Sequence, residues 1–220
     1  MKIRAIPFFI LAFSVSGCNS NTNENINKEN ASICFNKTLY EVGTTYSVTY
    51  KDQDNNIENS TVNIIEETEY RGQSAQIQSN GEGERYFSVD TYNKQFTLLG
   101  GRDDDNEFYY IPGLITKFDV NSGDIQEETV TMISKGLVSD VESVQNITSE
   151  YKGFETITVP AGTYKSCKFE TNYTYTQSDG LTNTLSTVIW YGENNGLPIQ
   201  FTSKNETEKL IQAEINGSNI

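Results

Sequence analysis

Histidine is absent from the 220 residues. That gap removes Ser-His-Asp and Cys-His activation of a nucleophile and the commonest ligand of zinc and copper sites. The chemistry left is carboxylate-driven, such as a glycosidase pair, or the holding of a hard cation by oxygen ligands. With 30 acidic residues in the chain, their presence alone decides nothing. Basic residues are scarce, 16 in all, so the net charge is −14. A surface this acidic repels phosphate backbones, which argues against nucleic acid as a partner, and it opposes docking on anionic lipid. Neither strand–helix–strand alternation nor a heptad repeat is present, and no cofactor is expected. Long apolar runs are also missing, with one exception near the start. That run, residues 5–15, is shorter than the roughly 20 residues a bilayer-spanning helix needs.

The exception carries the clearest message. Lys2 and Arg4 precede it, and Val15-Ser16-Gly17-Cys18 ends it before polar, Asn-rich sequence begins. A basic start, a short apolar core and small residues at its end describe a secretory signal peptide. The four-residue box resembles the lipobox of bacterial lipoproteins. The resemblance implies cleavage before Cys18 and transfer of diacylglycerol to its thiol, a nucleophile as thiolate. Each buried CH₂ adds about 0.8 kcal/mol, and two or more chains make the anchoring stable. An uncleaved signal anchor and an ordinary signal peptide with a coincidental Cys are the alternatives. Asn19 follows the cysteine, where an Asp would mark retention in the inner membrane. The expected address is the cell envelope, on the periplasmic face of the outer membrane if the organism is Gram-negative. Residues 19–33 are too poor in apolar side chains to offset the entropy of ordering. We therefore expect a signal peptide over 1–17, a lipidated Cys18 and flexible tether over 18–33, and a single β-rich domain over 34–220. With Lys2 and Arg4 removed, the mature chain is more acidic still.

Two further cysteines remain, Cys34 and Cys167. Export places them where disulfides persist. A bridge between them would close a loop of 133 positions and add roughly 4–5 kcal/mol in the chain-entropy model. Two reduced, buried thiols are the alternative.

Past the tether, strand signals dominate. In TTYSVTYKD, Tyr46, Val48 and Tyr50 alternate with Thr45, Ser47 and Thr49, the period of a half-buried strand. Turn chemistry recurs at residues 52–56, at Arg71-Gly72, at 79–83 and around Tyr92-Asn93-Lys94. In TITVPAGTYKSCKFE, Pro160-Ala161-Gly162 suits a three-residue hairpin loop, with Pro pre-setting φ and Gly taking a positive one. The stretch GLVSDVESVQNITSEY fits a strand or a short helix. The count is roughly ten antiparallel strands joined mostly by hairpins.

Three stretches together resemble a group of bacterial envelope lipoproteins: LYEVGTTYSVTY, then YKGFETITVPAGTYKSCKFE, then VIWYGENNGLPIQF. They match that group's VPAGT[FY]xxC and WYxxxxGL motifs in order and spacing, over about 160 residues. Tyr46 stands where the group has Trp, and Asn194-Asn195 replaces its Pro and Gly-Val. The resemblance implies a LolA/LolB-like fold, mainly β: a curved antiparallel sheet forming an open half-barrel, with one or two short helices. No catalytic residue travels with the motifs.

Two groups of side chains are candidates for a site. A curved sheet with one apolar face must fill its hollow or bind something there. Tyr46, Tyr50, Phe169, Tyr173 and Trp190, with Tyr191, are the expected lining, although core packing accounts for them equally well. Asp103, Asp105 and Glu107 could offer alternate oxygens to calcium, but the run lacks the Gly and distal Glu of an EF-hand loop and also suits a solvated turn. The function expected is non-catalytic binding of a lipid or other apolar ligand in a sheet concavity. The alternatives are an interaction module for an envelope protein and a carboxylate-driven hydrolase.

Overall fold

The computed structural model describes residues 29–136, 140–177, 179–204 and 206–220. The signal peptide, its box Val15-Ser16-Gly17, Cys18 and most of the expected tether lie outside the described residues.

Thirteen strands follow one another: β1 Thr45–Lys51, β2 Ile57–Tyr70, β3 Gln73–Ser79, β4 Glu84–Asp90, β5 Gln95–Arg102, β6 Asn106–Lys117, β7 Ile125–Gly136, β8 Asp140–Val159, β9 Gly162–Gln177, β10 Thr182–Gly192, β11 Pro198–Ser203, β12 Glu206–Ile215 and β13 Ser218–Asn219. Each pairs antiparallel with the next. β12 also pairs with β1, in the register Tyr46 with Ile215 and Val48 with Ala213. Twelve strands therefore close on themselves. The open half-barrel is corrected to a closed barrel, because the first strand supplies the partner that the twelfth would otherwise lack and no long edge is left bare. The expected short helices are two 3₁₀ turns, Ala31–Cys34 and Lys37–Tyr40. The stretch that fitted a strand or a helix is strand over its described part, most of the 20-residue β8.

The outer surface is polar by construction. Thr45 pairs with Asn63, Ser47 with Thr61, and Thr49 with Asn59 through side-chain hydrogen bonds of 2.9, 3.0 and 2.8 Å. Thr129 and Asn146 repeat the device at 2.8 Å. A lipid-facing barrel carries an apolar band on that surface; at these cross-strand pairs this one carries hydroxyls and amides. Among the described residues, no helix is long and apolar enough to cross a membrane.

A meander alternates its connections between the two ends of the barrel. Residues 71–72, 91–94, 118–124, 160–161 and 193–197 share one end. Residues 52–56, 80–83 and 103–105 and the β9–β10 and β11–β12 turns share the other. The first end is covered by the chain's own N-terminal segment. Ser122 donates its N–H to the Glu29 carbonyl (2.8 Å), Ala31 to Val120 (2.9 Å) and Asn194 to Ile33 (2.9 Å). Phe154 N–H donates to the Glu29 carboxylate at 2.8 Å. That carboxylate fits because Gly153, at φ +106°, has no Cβ; one added there would lie 2.8 Å from it. The folded domain thus includes Glu29, ahead of the expected boundary at Cys34, because backbone and carboxylate contacts do what apolar burial could not. The disulfide Cys34–Cys167 fastens the segment to β9. Around it Phe118, Val120, Tyr151 and Phe169 form a buried cluster.

The β8–β9 hairpin extends beyond its neighbours, and its tip reaches β12, where Ala161 N–H donates to the Leu210 carbonyl (3.1 Å). Its loop is two residues, Pro160 and Ala161, shorter than expected. Gly162 pairs with Val159 as the first residue of β9, at a φ of +148°.

Candidate functional site: the barrel lumen

A ring of twelve strands is too wide for small side chains to fill, and here it is filled in part. Aromatic rings stack inward from the covered end. Phe35 lies on Tyr40 (5.6 Å between centroids), Tyr40 on Phe96 (5.4 Å), and Phe118 meets Tyr191 edge-on (5.0 Å). Beyond this layer a cavity of about 420 Å³ remains, within the range typical of small-molecule sites. Its walls come from Leu39 and Tyr40 in the N-terminal segment, from Tyr46, Val48 and Tyr50 on β1, and from residues across the ring, including Phe96, Phe118 and Tyr191. A smaller lobe of about 100 Å³ adjoins it, sharing Thr116 and Tyr191.

Four tyrosines give the chamber its polar character. Gln78 Nε2 donates to the Tyr46 oxygen (3.2 Å), and Tyr50 donates to the Pro198 carbonyl (2.8 Å). The hydroxyls of Tyr40 and Tyr191 have no hydrogen-bond partner among the described residues. Burial disfavours the phenolate at all four, raising Tyr46 to about 12 and the others further. All four therefore remain neutral donors and acceptors at physiological pH.

The cavity ends at two carboxylates, Glu58 on β2 and Glu208 on β12, which flank Tyr50 on β1. Glu58 is exposed and Glu208 half-buried, so this is where the chamber meets solvent. Neither is paired with Lys or Arg among the described residues. The Glu208 carboxyl is pushed up, first by burial and then by the charges of Glu58, Asp52 and Glu206. The larger cavity has no Lys or Arg in its described lining. In the smaller lobe, Glu128 accepts the Ile115 N–H (3.2 Å), and burial pushes its carboxyl up as well.

The structure places Tyr46 and Tyr50 in the larger lobe and Phe169 and Tyr173 in the smaller. Trp190 is the exception and a correction. Its neighbours Ile189 and Tyr191 line the lumen, so strand alternation turns it the other way. It packs with Ile157, Val159 and Ile199, and its Nε1 donates to Glu155 (3.0 Å). The carboxylates weighed as a weak calcium candidate, Asp103, Asp105 and Glu107, do not face one another as a set. One Asp103 oxygen accepts the N–H groups of Asp105 and Asn106 (3.0 and 2.8 Å). Glu107 accepts the Tyr70 hydroxyl (3.1 Å) and pairs with Arg71 (3.5 Å). The oxygens serve a turn and a cross-strand contact rather than converging. Among the described residues no cluster of three His, Cys, Asp or Glu is placed to hold a metal. Tyr191, also among the expected lining residues, borders both lobes. Sequence reasoning missed Tyr40, Glu58 and Glu208: alternation with Tyr46 and Tyr50 gives no signal for Tyr40, which arrives from another element, and Glu58 reads as a solvated charge.

Comparisons with known proteins give a family match and a solved structure of the same fold. The DUF3108-like family model matches residues 105–214, half of the chain. No curated protein sequence matches significantly. A crystal structure from Bacteroides fragilis, of a protein proposed to be exported and said to have a YmcC-like fold, superposes with a TM-score of 0.51 at 11% identity. It covers 79% of this chain and 96% of its own. The fold is shared with that protein. A proposed lipoprotein from Parabacteroides distasonis gives 0.43 at 12% identity, covering 82% and 98%. The hypothetical lipoprotein YmcC from Escherichia coli gives 0.39 at 10%, covering 80% and 86%.

Proposed function

The chain belongs to the DUF3108-like family, and we propose that it is an exported, lipid-anchored envelope protein whose barrel holds an apolar ligand in its lumen without chemical turnover. The observation that carries this is the cavity of about 420 Å³, walled by aromatic and aliphatic side chains and kept unfilled inside a closed barrel. Cores normally close such voids, because each one forfeits contacts. At about 30 Å³ per water-sized unit, the space suits a ligand of roughly 14 non-hydrogen atoms, or one end of an acyl chain.

The box at Val15-Ser16-Gly17-Cys18 supports the anchor. Ten residues lie between Cys18 and Glu29, and the eleven steps reach at most about 40 Å when extended. Glu29 sits at the covered end. An acyl anchor on Cys18 therefore directs that end to the bilayer and the Glu58–Glu208 end away from it.

The test is binding of a neutral, polarity-sensitive dye, followed by fluorescence, and native mass spectrometry of protein purified without detergent. We expect saturable dye binding, lost in Ser60→Trp, whose indole would occupy the lumen. Binding unaffected by that substitution would remove the lumen as the site. One observation favours a second reading, a carboxylate-driven hydrolase: Glu58 and Glu208 line the same cavity and Glu208 is pushed up by burial. That reading requires turnover of a glycoside or ester, abolished by Glu58→Gln.

A further inference from the structure

Resting on the lumenal-binding reading, we infer that the ligand is an amphiphilic amine, its apolar body in the tyrosine-lined chamber and its ammonium group between Glu58 and Glu208. Charge on the lining is the first argument. Two carboxylates and no Lys or Arg face the larger cavity among the described residues, and neither carboxylate has an ion-pair partner there. Unpaired like charges at the lip of a low-dielectric chamber leave a negative potential that a bound cation would neutralise and a bound anion would worsen.

The chamber behind the carboxylates repeats the preference by independent means. Tyr40, Tyr46, Tyr50 and Tyr191 line it together with Phe96 and Phe118. Tyr50 stands between the strands that carry Glu58 and Glu208, and an aromatic face attracts an ammonium group, more so once it is desolvated. Deeper in, the lumenal hydroxyls of Tyr40 and Tyr191, with no partner among the described residues, are free to accept a hydrogen bond from a donor carried on the ligand's body. An apolar site normally fixes a ligand's orientation with a few converging polar groups, and these hydroxyls and carboxylates are the ones this site offers.

Charge around the opening is mixed: Asp52 and Asp54 in the β1–β2 turn and Glu206 at the start of β12 stand at this end together with Lys51, Lys204 and Lys209, so the two carboxylates that line the cavity set the sign inside it. A cation is drawn toward this opening and a fatty-acid carboxylate is repelled from it. The inference therefore excludes free fatty acids and anionic phospholipid headgroups at this opening.

The experiment compares three ten-carbon ligands that differ only in headgroup: decylamine, decanol and decanoate. Each is titrated below its micellar concentration into the mature domain by displacement of the neutral dye. We expect decylamine to bind at least tenfold more tightly than decanol, and decanoate to bind more weakly than decanol. In Glu58→Gln/Glu208→Gln the amine-to-alcohol ratio should fall to within about threefold. Equal binding of amine and alcohol, or tightest binding of the carboxylate, overturns the inference while leaving lumenal binding intact. A ratio unchanged in the double variant overturns it as well, by removing the carboxylates from the site. If none of the three displaces the dye, lumenal binding fails and this inference falls with it.

Discussion

Cys34 and Cys167 are bonded across 133 positions of chain, joining the segment that covers the barrel end to the middle of β9. Closing so long a loop restricts the unfolded ensemble strongly, by roughly 4–5 kcal/mol in the chain-entropy model. Cys34→Ser/Cys167→Ser should therefore lose about 4 kcal/mol in denaturant unfolding. For a domain of this size that is a fall in Tm of very roughly 8–16 °C. Both sulfurs are fully buried, so reductant acting on the folded protein should be slow to reproduce the effect. A loss below about 1 kcal/mol would mean the covering segment is held by its other contacts alone.

Those other contacts define the domain's edge. Glu29 and Ala31 contribute three hydrogen bonds to residues 120, 122 and 154. With the Asn194 N–H to Ile33 bond lost as well, and at about 1 kcal/mol net for each bond, a chain beginning at residue 34 should be at least about 4 kcal/mol less stable than one beginning at residue 29. Equal stability of the two chains, measured by urea unfolding, would show that the boundary lies at the disulfide.

Much of the barrel is legible in the residues themselves. Tyr46, Val48 and Tyr50 alternate cleanly, and β1 occupies that stretch. The expected turns at 71–72 and around 92–94 both join neighbouring strands. Closure is not legible, because pairing of Tyr46 with Ile215 links residues at opposite ends of the chain and no local pattern encodes it. β8 is ambiguous for a local reason. Its inward positions include the polar Ser143 and Gln145 beside Ile147, while Val144 faces out, so the apolar residues do not mark the buried face. Trp190 misleads because a large aromatic beside a hollow suggests lining; its direction depends on parity set by Ile189 and Tyr191. The lumen itself is only half visible, since Tyr40 and Leu39 enter it from a 3₁₀ turn outside the sheet.

Tyr191→Phe should leave both folding and decylamine binding intact. Its hydroxyl faces the cavity without a partner among the described residues, so the fold gains little from it. Removing an unsatisfied hydroxyl while keeping the ring should leave stability unchanged or raise it by up to about 1 kcal/mol. Decylamine affinity, read by dye displacement, should hold within about twofold, because an alkyl body offers this hydroxyl no donor. A stability loss above about 1 kcal/mol, the typical net worth of a hydrogen bond, would reveal a structural role for the hydroxyl.

The pH dependence of stability should carry two opposed contributions. Burial raises Glu128 and Glu208, so the fold prefers their protonated forms. Their contribution to stability is greatest below the unfolded carboxylate range, near about pH 4, and declines as pH rises through their folded values. The Trp190 hydrogen bond, and then Lys168, lower Glu155. Its contribution is present above the unfolded value and is lost as pH falls through the folded one. Glu128→Gln keeps an acceptor for the Ile115 N–H and should gain stability over wild type at pH 7 but not at pH 4. Glu155→Gln should lose stability at pH 7 and match wild type at acid pH. Thermal unfolding across pH 4–8 reads both, and a gain for Glu128→Gln that is the same at every pH would refute the assignment to its charge.

The anchor stands on a single sulfur. If Cys18 carries acyl chains, each buried CH₂ contributes about 0.8 kcal/mol, and two or more chains hold the protein on the membrane against dilution. The acidic domain offers nothing comparable, because its net charge is repelled by anionic lipid. Cys18→Ser should therefore release the protein from the membrane fraction and lower its intact mass by the missing acyl groups. The barrel, which is connected to that residue only through the segment entering at Glu29, should keep its Tm. Dye and amine binding should be equal in the released and anchored forms, since the Glu58–Glu208 opening lies at the end opposite the anchor. A Cys18→Ser variant that still sediments with membranes at the mass of the wild-type chain, less only the sulfur-to-oxygen difference, would exclude lipidation. Loss of binding on release would instead place the ligand site between barrel and bilayer.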